Sequence, residues 1–315
     1  MKKFLSILLL ISMLTIPFAS CVIVDNSNTS DRDSVQDKDS ISTDDTLTFP
    51  KGVVFEENSD PYTEGLLFET VTDEEGYVIV GYKGPAKDVV IPKIYRGFYV
   101  VGISDDAFAK ISKLETVSIP DSVHYIGKRA FEVCFNIKSI VIPDSVTRID
   151  DDAFSDCRSL TSITIPDSVT SIGSYAFSAC DSLTSITIPN SVTNIGSGAF
   201  RGCSSLTSVT IPSGVTGIAG SAFRGCSSLT SVTISDGVTR IGDSAFMDCT
   251  SLTSVTIPDS VTSIDSYAFE LCGNLTKIVF RGTQKQWNEI SKSYLWCTYC
   301  TGCPIQCTDG TIKNK

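Results

Sequence analysis

The dipeptide Ile-Pro begins at Ile119, Ile142, Ile165, Ile188, Ile211 and Ile257, with Ile234-Ser235 in the remaining slot, so every step is 23 residues. An earlier Ile91-Pro92 opens a 28-residue unit, with five extra residues around Tyr95-Arg96-Gly97-Phe98-Tyr99, and brings the units to eight. A fixed period of this length is the mark of a chain built by stacking one supersecondary unit on the next. One such unit has an apolar stripe and nothing of its own to cover it. The following unit covers it, so the stack acquires a continuous core that no single unit has.

The unit at residues 165–187, IPDSVTSIGSYAFSACDSLTSIT, contains two spacings. Leu183, Ile186 and Ile188 follow L-x-x-I-x-I, and the last of these positions alternate in and out as a short strand does. Ile172, Ala176, Phe177 and Cys180 recur at +4, +5 and +8, which predicts one face of a short helix or 3₁₀ turn. Pro166 lacks an N–H and fixes φ, so it closes the strand and turns the chain. Gly173 is expected to supply an unusual backbone conformation at the entry to the helical turn. The same slot holds Asp150, Ala219 and Asp265 elsewhere, so that requirement is not absolute. Stacked strands lie parallel, about 4.8 Å apart. The strand face is expected to curve inward, because strands pack closer together than helices do.

The 23-residue unit with Ile-Pro, Ile-Gly, Ala-Phe, Cys and Leu in this order resembles the leucine-rich repeat superfamily. It looks like the bacterial surface-antigen subfamily (BspA-like, spirochaete-type) over about residues 65–315. The resemblance implies a curved right-handed solenoid of α/β type, with parallel strands on the concave face and short helical or 3₁₀ turns on the convex face, capped at both ends. It also implies a non-enzymatic role in adhesion. The repeats occupy residues 91–280. Residues 49–90 read as an N-terminal β cap, with a hairpin formed by Phe68 and Tyr77-Val78-Ile79-Val80 around the Asp73-Glu74-Glu75-Gly76 turn. Residues 281–315 read as a Cys-rich C-terminal cap, with an amphipathic helix from Gln284 to Ser291 burying Trp287 and Ile290.

Before the repeats stands an address. Lys2 and Lys3 precede an apolar run at residues 4–16, and Pro17-Phe18-Ala19-Ser20 leads into Cys21. This resembles a bacterial lipoprotein signal, with residues 1–20 removed and Cys21 lipidated. An uncleaved anchor continuing through Val22-Ile23-Val24, or cleavage leaving a free thiol, are the other readings, and each exports the chain. Residues 22–48 hold seven Asp, one Arg and one Lys with no aromatic residue, and read as a disordered acidic tether. The formal net charge of −11 argues against nucleic acid, whose phosphates require Lys and Arg.

The residues offer little for chemistry. His124 is the only histidine and falls in an outward column, away from any nucleophile. Asp and Glu are scattered over turns, where water keeps them from the paired pKa shifts that acid–base catalysis needs. Cys134, Cys157, Cys180, Cys203, Cys226, Cys249 and Cys272 recur every 23 residues and read as an inward column of small apolar groups. Cys297, Cys300, Cys303 and Cys307 match an iron–sulfur spacing and could also hold zinc, but Thr308 stands where that run has Pro. Export favours disulfides among these four, with three pairings open. No cofactor is expected.

What remains is surface. The outward strand positions Ser162, Thr164, Ser185, Thr187, Ser208, Thr210, Ser231, Thr233, Ser254 and Thr256 form hydroxyl ladders and are the candidate binding face. The expected function is a monomeric, lipid-anchored cell-surface module that binds an extracellular-matrix, host or neighbouring-cell protein. A structural envelope protein without a specific ligand, or a metal or redox protein using the C-terminal cysteines, are the alternatives.

Overall fold

A computed structural model describes residues 53–54, 59–71, 76–298 and 303–313. The leader, Cys21 and the acidic tether lie outside the described residues. The repeats form a leucine-rich repeat solenoid of about ten turns of chain, stacked in parallel through ladders of hydrogen bonds.

The first ladder is the expected strand face. Ser208–Ile211, Ser231–Ile234, Ser254–Ile257, Lys277–Phe280 and Pro304–Cys307 pair in parallel without a break. Val232 and Ile234 turn inward while Ser231 and Thr233 face out, the alternation a half-buried strand requires. The second ladder was not anticipated. Ser171–Ile172 and its equivalents, two residues each, also pair in parallel, from Phe98–Ile103 through Tyr125–Ile126 and Arg148–Ile149 to Asn194–Ile195. Ile172 therefore belongs to a strand, not to a helical face. The hairpin Leu66–Val71 and Gly76–Tyr82 extends this second ladder, because Gly76–Tyr82 pairs with Phe98–Ile103.

The side predicted to be helical is built from turns. In the unit around Phe131, the N–H groups of Ala130, Glu132 and Cys134 donate within the turn, to Gly127, Arg129 and Phe131 carbonyls at 3.1–3.3 Å. The N–H groups between them, of Arg129, Phe131 and Val133, donate to Asp151, Ala153 and Ser155 of the next unit at 2.8–2.9 Å. A helix would send each N–H to the carbonyl four residues earlier; here alternate donors leave for the neighbouring unit and weld the units together. To aim them, Arg129 and Val133 adopt φ of 53° and 62°, and the same two slots repeat this from Asp106 and Lys110 to Tyr267 and Leu271. The one α-helix among the described residues, Gln284–Glu289, lies after the repeats; Thr283 caps it and Trp287 is buried. With no helix in the repeats, the reason for expecting an inward-curving strand face is gone: both sides are hydrogen-bonded rung to rung.

Gly173 also has a different role from the expected one. Its φ is ordinary, but a Cβ there would lie 2.5 Å from the Asp150 carbonyl carbon and the Asp151 nitrogen. It admits the backbone of the preceding unit.

The core runs the length of the stack. Phe108, Phe131, Phe154, Phe177, Phe200, Phe223, Phe246 and Phe269 are fully buried and stack as near-parallel, offset rings with centroids 5.1–5.5 Å apart. Each such burial contributes about 2–3 kcal/mol. The column ends edge-on against Trp296, which meets Trp287 in turn.

Candidate functional site

All ten predicted hydroxyls lie on the strand face. Ser162 through Thr233 are exposed, and Ser254 and Thr256 are half-buried. Pairing aligns six of them in register: Ser208 with Ser231 and Ser254, and Thr210 with Thr233 and Thr256. Val141 and Val279 end the threonine column, and Val141 is 74% exposed.

The face differs chemically from the threonine columns beside it. Thr147, Thr170 and Thr193 each donate a hydroxyl to the carbonyl of the residue 23 positions earlier, at 3.3–3.4 Å. Thr207 and Thr230 do the same at 3.2 and 3.1 Å. Ser145, Ser168, Ser191 and Ser260 donate to the preceding unit's valine carbonyl at 2.6–2.8 Å. Those hydroxyls are consumed in holding the stack. Among the described residues, none of the ten strand-face hydroxyls has a hydrogen-bond partner in the protein. Eight of the ten residues are exposed to solvent. Sequence alone cannot separate the two classes, because both are Ser or Thr at a 23-residue period.

The face is not uniform. At the step from the unit of Ile188 to the unit of Ile211, both ladders are interrupted: neither residues 185–188 nor Asn194–Ile195 pair with the following unit. At no other step within the repeats do both stop. Residues 185–188 form no strand, and a cleft of about 520 Å³ opens there, lined by Asp167, Ser185, Ile186, Thr187, Ser208 and Thr210 among others. Two sequence changes coincide at this step. Gly214 removes the hydroxyl that would bond the Val192 carbonyl, and Ala219 replaces the close-approach glycine. Neither change suffices alone. Gly237 also lacks the hydroxyl, yet its unit is fully paired. Asp150 keeps its backbone bond to Ile126 at 3.1 Å. Across the step the turn ladder persists, with Gly198, Phe200 and Gly202 donating to Gly220, Ala222 and Arg224 at 2.7–2.9 Å.

The residues weighed for chemistry are dispersed. His124 is exposed on an outer column. The seven column cysteines are buried free thiols. Burial pushes Cys134, Cys203 and Cys272 up to about 12 and the other four well above the ordinary thiol value, which keeps all seven protonated and unreactive. At the C-terminal end Cys297 is disulfide-bonded, whereas Cys303 and Cys307 are buried free thiols. Cys300 lies outside the described residues. Among the described residues no group of His, Cys, Asp and Glu is placed to hold a metal ion. No helix among them is long and apolar enough to cross a membrane. Of the aromatic residues at the two ends, Tyr95, Trp287 and Trp296 are buried, while Phe98, Tyr99 and Tyr294 are exposed at 44%, 53% and 96%.

Comparison with known proteins agrees with this architecture. The chain is similar to a leucine rich repeat protein of T. pallidum at 37% identity, over 60% of this chain and 88% of that one, with a TM-score of 0.57. It is also similar to a leucine-rich repeat protein from Bacteroides ovatus at 28% identity, over 78% of this chain and 70% of that one, with a TM-score of 0.61. A search of curated proteins finds no match. The family model for the BspA type leucine rich repeat region, in six copies, matches residues 101–230 and 216–314. With more than half its length matched, the chain belongs to the BspA-type leucine-rich repeat family.

Proposed function

We propose that the chain is a cell-surface protein-binding module, held to the envelope through lipid on Cys21 and presenting its strand face to an extracellular-matrix, host or neighbouring-cell protein. The observation that carries this reading is the set of ten strand-face hydroxyls from Ser162 to Thr256, six of them in register from Ser208 to Thr256, for which no hydrogen-bond partner is found among the described residues. Stacking a 23-residue repeat aligns identical donors rung after rung. A binding surface gains from it, because the positions are fixed by the backbone ladder and lose little freedom on contact. Membership of the family supports the reading, since leucine-rich repeat proteins generally act in protein binding. The leader-like residues 1–20 and the acidic residues 22–48 support a module outside the cell, held away from the membrane surface.

The test uses intact cells that carry or lack the full chain, exposed to matrix and cell-surface proteins. Cells with the chain should capture a partner, and the double variant Thr210→Lys, Thr233→Lys should lose that capture while its thermal unfolding is unchanged. Equal capture by parent and variant sinks the assignment to this face. In the same cells Cys21→Ser should release the protein into the medium; retention on the surface would rule out the lipid anchor.

A further inference from the structure

We infer that the turn side of the stack carries a binding site for an acidic sugar, whose anionic group is taken by Arg201 and Arg224 and whose body lies against Tyr175. The site is separate from the hydroxyl ladders and does not depend on their role.

Of the eight described arginines, Arg129, Arg148, Arg158, Arg240 and Arg281 each pair with an aspartate at 2.6–3.2 Å. Arg96 lies over the ring of Tyr95. Among the described residues, the guanidinium groups of Arg201 and Arg224 have no ion pair, hydrogen bond or ring contact. The two are neighbours on consecutive turns. Gly202 donates to the Arg224 carbonyl at 2.7 Å, and the rings of the preceding Phe200 and Phe223 are 5.3 Å apart. Arg201 is exposed and Arg224 is half-buried. Like charges side by side repel, and a partly buried cation without a partner carries a desolvation cost. One anion shared between the two forks offsets both. Guanidinium groups suit it, because their paired N–H donors match two oxygens of a sulfate or carboxylate.

The surroundings are open. Both turns read Ala-Phe-Arg-Gly-Cys-Ser-Ser-Leu and contain no acid. The slot after each arginine is Gly202 or Gly225, at φ 75°, whereas other units hold Asp156, Ala179, Asp248 or Leu271 there at φ 54–62°. The missing side chains leave a bare strip of backbone beside the guanidinium groups. A Cβ at Gly198 would collide with the ring of Tyr175, so the ring lies against that glycine. The Gly198 carbonyl accepts from the N–H of Arg201 at 2.9 Å, which sets ring and arginine in the same turn. Tyr175 is 37% exposed, and among the described residues its hydroxyl has no partner.

This combination narrows the ligand. A pyranose offers a C–H face to an aromatic ring, and a sulfate ester or uronic carboxylate on it supplies the anion. A peptide is the weaker fit, because the N–H groups of Gly202 and Gly225 are already committed to the Arg224 and Met247 carbonyls. A long polyanion is disfavoured by the net charge of −11 and by Asp181 and Asp248 in the flanking turns.

The probes are three fluorescent trisaccharides titrated into the full-length chain: maltotriose carrying one sulfate ester, maltotriose ending in glucuronic acid, and plain maltotriose. Anisotropy should saturate with an acidic sugar and not with the neutral one, and the tighter of the two acidic sugars identifies the anion. Arg201→Gln and Arg224→Gln should each weaken binding about tenfold, the scale of one charge-assisted hydrogen bond, without lowering thermal stability. Tyr175→Leu should weaken it about threefold through loss of the ring face. Arg158→Gln, which removes an arginine already paired with Asp156, should leave binding intact. The inference is overturned by no saturation with either acidic sugar, by equal binding of plain maltotriose, by undiminished binding in both Arg201→Gln and Arg224→Gln, or by an equal loss in Arg158→Gln. Displacement by inorganic sulfate as readily as by the unlabelled sugar would show that Tyr175 holds no sugar body. Displacement by an acidic peptide at equal concentration would make the ligand a protein and the sugar assignment wrong.

Discussion

The thiol of Cys180 donates a hydrogen bond to the main-chain carbonyl of Phe154, 3.3 Å away and 26 residues earlier in the chain. The same pair recurs from Cys134 and Phe108 to Cys272 and Phe246, at 3.1–3.3 Å. The column of sulfurs is thus a set of weak rungs, each tying one unit to the last.

The first prediction concerns these thiols. Burial raises their pKa above the unfolded value near 9, to about 12 for Cys134, Cys203 and Cys272. A group whose acid form is favoured by folding contributes stability that is complete below the unfolded value and is lost as pH rises through the folded one. The urea midpoint should therefore hold steady up to about pH 9 and fall between there and about pH 12. Cys203→Ala should show a shallower fall. A thiol reagent at pH 8 should leave the seven column cysteines untouched in the native protein and modify all seven in guanidinium. Modification of any of them in the native state would contradict the buried column.

The repeat and its strand were readable because both are local. Ile-Pro every 23 residues fixes where each unit begins, and the alternation through Ser231, Val232, Thr233 and Ile234 fixes which side faces water. The turn side was legible only as a short helix or 3₁₀ turn, because apolar residues at +4, +5 and +8, such as Ala176, Phe177 and Cys180, suit a helix and a buried turn equally. What decides between them is the destination of alternate N–H groups such as that of Phe177, bonded to Ala199 of the next unit. That destination exists only once the units are stacked. For the same reason the hydroxyls of Thr147 and Thr164 looked alike in the sequence, though one is bonded to the His124 carbonyl and the other faces solvent.

Val133 supplies the second prediction. It holds φ at 62°, where a β-branched side chain is strained, and its slot in later units is taken by Gly202 and Gly225 at φ 75°. Val133→Gly should raise stability by about 1 kcal/mol, the strain relieved less the added freedom of the unfolded chain. Equilibrium urea denaturation measures it. A loss of stability would mean that the half-buried valine packs for more than its backbone costs.

The phenylalanine column makes a third prediction, and it differs by position. Phe→Ala in such a core costs about 3–5 kcal/mol. At Phe177 the adjoining units remain joined by the second ladder as well as by the turn ladder, through Ser171–Ile172 and Asn194–Ile195. Phe177→Ala should lower the melting temperature and leave one cooperative transition. Phe200 sits at the step where both ladders stop, and its ring contact with Phe223 at 5.3 Å is a principal remaining link. Because each unit touches only its neighbours, weakening that one interface lets the two sides unfold apart. Phe200→Ala should give two transitions in calorimetry. A single transition for both variants would show that the interrupted step is as strongly coupled as the rest.

The fourth prediction restores what that step lacks. In Gly214→Ser the new Cβ would lie 3.0 Å from the Val192 carbonyl oxygen, a tight approach, and its hydroxyl would take up the contact that Ser191 makes with Val169 at 2.8 Å. Ala219→Gly removes the side chain from the slot where Gly196 and Gly242 admit the preceding backbone. Each change alone should do little, since Gly237 and Asp150 show that a unit tolerates one departure of this kind. Together they should recreate the bond from residue 219 to the Ile195 carbonyl, the counterpart of Gly242 to Ile218 at 2.8 Å. A regained backbone bond is worth about 1 kcal/mol, so the double variant should exceed the sum of the single ones by about that amount. Amide exchange at residue 219 should slow in the double variant only. If the single changes simply add and exchange is unaltered, the interruption has another cause than these two residues.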